Sequence, residues 1–420
     1  MLFYIDPGTG SMLFTILIGV LGAAVYALRE VYMKFRFRLN GGKTEILSGS
    51  ETPIVIFTDS KRYWNVFEPI CREFERRKEK LEYLTSSPDD PALDQKFEYV
   101  HCQFIGEGNK AFARLNTLRA DIVLSSTPSL DVLYWKRSRE VKWYVHIPHA
   151  ASDITIYRMF GIDYYDTILI SGDYQEEQIR KLEQLRSLPA KEIVKVGITY
   201  MDEMKKRLDA AGPLPEHPRT VLLAPSWGPS AILSVYGGSV IKALLETGYY
   251  VIVRPHPQSY TAEKELLEKI MAEYPAGDQL EWNRDNDNFD VLRRADVMIS
   301  DFSGVIFDFT LVFDKPVIYA DTSFNKDPYD AAWLDEELWT FSVLPKIGRQ
   351  LTRDDLDNMK DLIDSCLSDE SFKQGRDEAR QETWAYIGES TSRVVDYLLQ
   401  KRMDLIQDKS KAPDERHKEN

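Results

Sequence analysis

Residues 296–321 read DVMISDFSGVIFDFTLVFDKPVIYAD. Asp296–Ser300 is a short apolar run with the length of a buried strand. It stops at Asp301-Phe302-Ser303-Gly304, and apolar residues then recur at helical spacing over 302–313. Asp314, Lys315 and Pro316 break that spacing, and 315–320 (KPVIYA) reads as a second strand. Strand, helix and strand in immediate succession lay two parallel strands side by side with the helix across their face.

The same alternation extends in both directions. Upstream lie strand runs at 221–226 (VLLAPS), 250–257 (YVIVRPHP) and 279–282 (QLEW), with helices predicted at 236–247, 260–274 and 288–294. Before them, AAGPLPEHPRT (210–220) gathers Pro and Gly into a hinge. The pattern is already present on its other side. Strands are predicted at 53–60, 81–86, 99–104, 121–127, 143–149, 166–171 and 192–197. Helices are predicted at 65–80, 108–119, 128–137, 173–187 and 200–210. Strands that are apolar throughout belong to parallel sheets covered on both faces. Two such halves, 53–211 and 212–390, predict an α/β enzyme of two lobes, with ligands in a central cleft off the carboxyl ends of the strands. Helices at 353–366, 369–386 and 390–405 finish the chain, the last (391–405) as a closing helix, and 406–420 reads as a disordered, charged tail.

The 420 residues are 43% hydrophobic, 12% aromatic and 29% charged, which excludes a small stapled scaffold or a chain too polar to build a core. Fifty-three Lys and Arg against 67 Asp and Glu give a net charge of -14 and argue against nucleic acid as a partner, although a local basic cleft is compatible with that average. Cys71, Cys102 and Cys366 are far apart with no CxxC pairing, so neither a zinc site nor a disulfide framework is predicted, and a reducing compartment is the simplest reading.

Met12–Leu28 (MLFTILIGVLGAAVYAL) departs from this composition, for it carries no charge. As a helix it reaches about 25 Å, near the roughly 30 Å of a bilayer's hydrocarbon core. Val31, Tyr32, Met33, Phe35 and Phe37 extend its lower end, with the intervening basic residues snorkelling. Arg29, Lys34, Arg36, Arg38 and Lys43 follow the run while only Asp6 precedes it. A signal peptide would carry its positive charges before the run. The charge order instead predicts a single transmembrane anchor over 1–39, a Gly/Ser-rich linker over 40–52 and a cytoplasmic body at the inner or plasma membrane.

Three candidate sites lie where strands end. His149, in VHIPHAASD (145–153), follows a buried strand, and a neutral imidazole there suits a general base acting on an acceptor hydroxyl. His146 falls on the opposite face and is expected to be structural. Arg254 and His256, in VIVRPHPQ (251–258), sit in a turn stiffened by two prolines and offer donors to an anionic ligand such as a diphosphate. Asp301, Ser303 and Gly304 open the helix of 302–313, whose first N–H groups and dipole form an anion site. The bland alternative at that helix is N-capping by Asp301 or Ser303. Asp308, one turn on, is placed to hold the adjacent loop or a ligand hydroxyl.

Together these segments resemble the CDP-glycerol glycerophosphotransferases, the teichoic-acid-type polymerases and primases of bacterial envelopes. VGITYMDEM (196–204) is similar to that family's Gly-Tyr-Pro-x-x-Asp turn. VLLAPSW (221–227), with Ser226, is similar to its strand–Ala-Pro-Thr/Ser-Trp unit, and WAYIGESTSRVVDYLL (384–399) to its closing Gly-x-x-Ser-x-Arg helix. The resemblance spans about residues 100–400 and is most specific in the Asp-x-Ser-x-x-x-Phe-Asp stretch.

The resemblance implies a GT-B-like fold of two Rossmann-type lobes, the first for the acceptor and the second for the nucleotide donor. It implies that His149 is the acceptor base, that Arg254 and His256 contact the donor phosphates, and that Asp301 and Ser303 lie beside the diphosphate and polyol. The family's Trp-His-Gly-Thr reads Pro-His-Ala-Ala here, Gly304 replaces a second serine, and Arg158 stands for a lysine that commonly follows the first motif. The implied partners are CDP-glycerol or a related CDP-polyol, a lipid-linked or membrane glycan acceptor, and the membrane itself; neither cofactor nor metal is implied. Two other readings share the fold: a nucleotide-sugar glycosyltransferase for capsule or O-antigen, and a non-catalytic, membrane-tethered nucleotide-binding protein.

Overall fold

The computed structural model describes residues 52–285 and 287–411. The anchor over Met12–Leu28 and most of the linker lie outside the described residues, as does the tail from 412 onward. Among the described residues no helix is long and apolar enough to cross a membrane.

The strand–helix alternation folds into two parallel sheets. The first runs in the order β3-β2-β1-β4-β5-β6-β7, formed by β1 (Thr52–Thr58), β2 (Leu81–Thr85), β3 (Val100–Phe104), β4 (Ala120–Ser125), β5 (Val141–His146), β6 (Thr167–Ile170) and β7 (Glu192–Lys195). The second runs β10-β9-β8-β11-β12-β13, formed by β8 (Thr220–Leu223), β9 (Tyr250–Val253), β10 (Leu280–Trp282), β11 (Val297–Ser300), β12 (Val317–Ala320) and β13 (Gly348–Leu351). In each, the chain starts near the middle, winds outward and then reverses, which opens a crevice at the carboxyl ends of the central strands. Register follows the apolar runs: Phe57 lies opposite Leu84 and Ser125, and Met298 opposite Leu222 and Val317.

Successive strand residues point to opposite faces. Val55, Phe57, Val123 and Ile168 cover one face of the first sheet, and Val221, Leu223, Val251 and Ile299 one face of the second. The intervening residues belong to one continuous apolar cluster: Ile54, Ile56, Ile122 and Leu124 from the first lobe with Leu222, Ile252, Met298 and Val317 from the second. The last helix, Ser390–Lys411, returns to the first lobe and adds Val394, Val395 and Leu398 to that cluster. This helix continues past 405, into the stretch read from sequence as a tail.

Several sequence expectations are corrected. Residues 128–137 form turns rather than a helix, because Ser129 and Asp131 adopt positive φ (68° and 61°), which right-handed helix excludes. The helix of 302–313 begins only at Val305, runs as α-helix to Phe307 and widens to a π-helix over Asp308–Val312. The edge strand β13 was not expected: GRQL has little apolar signal, and it pairs with β12 only because residue 348 is glycine. A Cβ there would lie 1.8 Å from the Val317 carbonyl oxygen.

The connection between β12 and β13 straps the second lobe to the first. Asp330, fully buried, accepts from the N–H groups of Phe160 (2.7 Å) and Gly161 (3.0 Å) and from Arg186 Nη2 (2.6 Å). Asp153 accepts from the N–H groups of Trp339 (3.1 Å) and Thr340 (2.6 Å). The strap therefore grips the first lobe immediately beyond the His149 turn.

Candidate active site

The first-lobe wall of the cleft is built at the end of β5. The strand stops at His146, and Ile147-Pro148 carries the chain to His149, which is half-buried. The Tyr63 ring, from the loop after β1, lies 4.7 Å from the His149 ring. Tyr157 Oη is 3.3 Å from His149 Nδ1 on one side and 3.2 Å from His146 Nε2 on the other. Burial, with the neighbouring Arg62 guanidinium second, pulls the His149 pKa down to about 4, so its imidazole is neutral near pH 7. His146 is fully buried and is pulled down to about 3 by burial first and by His149 second. The expectation that His146 is merely structural misses that both histidines share one phenol.

The second-lobe wall is organised around Asp301. This residue is 2% exposed, and its carboxylate accepts from the N–H groups of Ser226 (2.9 and 3.1 Å) and Ile232 (2.9 Å). Burial opposes those bonds and raises its pKa to about 6. Asp301 thus clamps the 226–232 loop through the N–H groups of Ser226 and Ile232. Ser226 takes part through its backbone N–H. The same loop is held a second time by Glu263, which accepts from Gly228 N–H (2.9 Å). Trp227, 42% exposed, projects from it with its ring 6.4 Å from that of His256.

Neither Asp301 nor Ser303 caps the helix that begins at Val305: no side chain does. The first turn closes on itself instead, the N–H groups of Ile306 and Phe307 donating to the Ser303 (3.2 Å) and Gly304 (3.1 Å) carbonyls. A Cβ built on Gly304 would lie 3.4 Å from Ala150 Cβ, so the helix start of one lobe meets the His149 turn of the other, and glycine keeps that gap open. Asp308 reaches across to the first lobe. It accepts from Tyr200 Oη of the first lobe (2.8 Å) and from Asn288 Nδ2 (3.3 Å), and burial raises its pKa to about 7.

Arg254 closes β9 through its N–H to the Leu223 carbonyl (2.8 Å), while its guanidinium donates to Asn283 Oδ1 and to the Asp285 carbonyl (2.7 Å). Burial lowers its pKa, yet an arginine remains charged. His256 Nδ1 accepts from Gln258 N–H (3.1 Å), so in the neutral ring Nε2 carries the proton and is a donor. Burial, then Arg62, lowers the His256 pKa to about 4. Arg158, by contrast, is exposed and forms a backbone bridge with Tyr329, and no hydrogen bond ties it to these residues.

Sequence reasoning missed Arg62, Tyr63 and Tyr157. Arg62 is near enough to depress both His149 and His256, and so places a positive charge between the two walls. The one available signal was position, since Arg62 follows the apolar strand β1 as His149 follows β5. The walls together present the neutral His149 imidazole, the Arg254 guanidinium and the His256 Nε2–H donor. That set can deprotonate a hydroxyl beside a bound anion.

Comparison with known proteins agrees with this geometry. The chain superimposes on the wall teichoic acid polymerase TagF in a form soaked with CDPG, with a TM-score of 0.55, 13% identity and 93% of this chain and 99% of that chain covered. It superimposes on the UDP-GlcNAc 2-epimerase of Methanocaldococcus jannaschii with a TM-score of 0.53, 12% identity, and 83% and 99% covered. The corresponding figures for UDP-N-acetylglucosamine 2-epimerase from Rickettsia bellii are 0.55, 11%, 85% and 99%. At these identities the likeness shows the fold, a GT-B-like pair of lobes. No curated protein matches the sequence. Residues 162–400 match the family of CDP-glycerol:poly(glycerophosphate) glycerophosphotransferases, more than half of the chain. The chain belongs to that family and is an enzyme of the CDP-glycerol glycerophosphotransferase class.

Proposed function

We propose that the enzyme moves a glycerol-phosphate, or similar polyol-phosphate, unit from CDP-glycerol to a hydroxyl of a membrane-associated glycan or glycolipid. The observation that carries this reading is the meeting of the two walls, where Ala150, next to His149, stands against Gly304 at the helix start of the second lobe. An acceptor hydroxyl near His149 and a diphosphate at the helix start would be adjacent. His149 Nε2 takes the hydroxyl proton as the oxygen attacks the phosphorus that bears the polyol. A new O–P bond forms, the bond to the bridging oxygen breaks, and CMP departs with that oxygen. Arg254, His256 Nε2–H and the Ser303 hydroxyl meet the charge on the diphosphate.

The charge order around Met12–Leu28 supports a single-pass anchor that keeps this body on the cytoplasmic face, beside a lipid-borne acceptor. The test is to incubate the purified full chain and bacterial membranes with CDP-glycerol or with UDP-sugars. CMP release, with a matching mass increase in the lipid-linked glycan, is expected. UDP release without CMP release replaces the reading with glycosyl transfer, and binding without turnover replaces it with a nucleotide-binding role.

A further inference from the structure

We propose that Tyr157 and His146 are positioning residues that fix the tautomer of His149, through a buried chain of hydrogen bonds from His149 Nδ1 to Tyr157 Oη to His146 Nε2. The inference rests on the reading of His149 as the acceptor base. It goes further by assigning a purpose to two first-lobe residues to which the reading of the base gives none.

A histidine can take a proton on Nε2 only if that nitrogen is bare, which requires the neutral ring to carry its hydrogen on Nδ1. Isolated imidazole does not enforce that choice; a partner at Nδ1 does, and which partner decides the outcome. A phenol can either donate to Nδ1 or accept from it, so Tyr157 alone leaves both tautomers open. His146 removes the ambiguity. Its Nε2 is 3.2 Å from the same Oη, and His146 is fully buried. If His146 Nε2 is bare, it draws the Tyr157 hydroxyl hydrogen; the Oη lone pair then accepts from His149 Nδ1–H, and His149 Nε2 is left as a base.

The surroundings favour that direction. The Ser125 carbonyl favours a proton on the His146 ring, although Nδ1 completes no hydrogen bond there. That proton belongs on Nδ1, since Nε2 faces the phenol. Packing holds the ring planes: His146 meets Tyr157 edge to face at 5.2 Å and lies 4.9 Å from Tyr165, and Tyr63 covers His149 at 4.7 Å. Burial raises the Tyr157 hydroxyl far above its ordinary range, so the phenol stays protonated and acts as a relay of hydrogen bonds rather than as a base. The resulting order resembles the logic of any oriented histidine base, with a phenol and a second imidazole in place of a carboxylate. Unlike a carboxylate, this chain adds no negative charge near an anionic donor.

The experiment has a spectroscopic arm and a kinetic arm. In two-bond proton–nitrogen spectra of histidine-labelled full-length enzyme, assigned with His149→Ala and His146→Gln, His149 is expected to show a protonated Nδ1 and a bare Nε2. Tyr157→Phe and His146→Leu are each expected to shift His149 toward the Nε2–H tautomer. Both should lower kcat for CMP release on the order of 10²-fold, with KM for CDP-glycerol within about three-fold. His146→Gln retains an acceptor for the Tyr157 hydroxyl and should restore most of the rate. An Nε2–H tautomer at His149 in the unaltered enzyme overturns the proposal. Unchanged tautomer and kcat in Tyr157→Phe and His146→Leu, while His149→Ala is inactive, overturn it and leave His149 as the base. Full activity in His149→Ala instead overturns the reading of the base, whatever the spectra show.

Discussion

The two walls of the cleft use their ionisable side chains in opposite ways. On the first-lobe wall, the side chains of His149, Tyr157 and His146 are linked to one another through Tyr157 Oη. On the second-lobe wall, Asp301 and Glu263 bond to the N–H groups of the 226–232 loop, and Arg254 bonds partly to a carbonyl. A side chain tied to side chains can exchange protons and tautomers without moving the fold. A side chain tied to backbone fixes the shape of a loop, and its own protonation is a structural matter. The first wall is therefore suited to changing charge during a reaction, and the second to holding a charged ligand in a constant frame.

Substitution should separate these roles. His149→Ala is expected to lower kcat about 10³-fold while the melting temperature stays within about 2 °C of the parent, because a half-buried ring is removed and no backbone group loses its partner. Asp301→Ala should do the reverse in kind. It leaves two backbone N–H groups of the 226–232 loop, those of Ser226 and Ile232, without their acceptor, so it should destabilise the protein by about 2–4 kcal/mol in urea unfolding. It should also raise KM for CDP-glycerol more than it lowers kcat. A stable Asp301→Ala protein with an isolated kcat defect would break the comparison.

Asp308 supplies the smallest and most pH-dependent case. Its folded pKa, raised to about 7, lies above the ordinary carboxylate value of 3.8. Between those values the folded chain keeps a proton that the unfolded chain has released, and the associated stability is lost as pH rises through about 7. Asp308→Asn cannot suffer that loss. Its melting temperature should therefore gain on the parent's by about 2–4 °C between about pH 5 and about pH 8.5. Parallel melting curves across that range would show that the Tyr200–Asp308 contact between lobes carries no titrating charge.

What could be read from sequence follows the physical range of each signal. Buried strands announce themselves locally: every residue of β4, β6, β8 and β11 is buried, and each appears as an apolar run. His149, Arg254, His256 and Ser303 can be singled out as candidates because strand ends are visible in the same pattern. Tyr157 was not, since its role depends on a fold-back from a turn whose φ/ψ angles have no periodicity. Arg62 was hidden for the same reason, as its influence on His149 exists only once β1 and β5 lie in one sheet, and that on His256 only once the lobes are apposed. Asp301 was legible as a residue but not as a role, because the backbone groups it binds come from a loop about seventy residues earlier. The strap between β12 and β13 was missed because its holding contacts, Asp330 to Phe160 and Gly161, join distant segments.

The apolar cluster shared by both sheets has a consequence for how the molecule comes apart. Two lobes suggest two modules, yet Ile54, Leu124, Leu222, Met298 and Val394 belong to a single core that includes the final helix. A chain cut in the Pro-rich hinge between Ala210 and Thr220 would leave each fragment with an uncovered apolar sheet face. Neither half is equipped to fold alone, and mixing the two should restore what neither possesses. Heat should likewise melt the body in one cooperative transition, with the halves inheriting a common fate rather than separate stabilities.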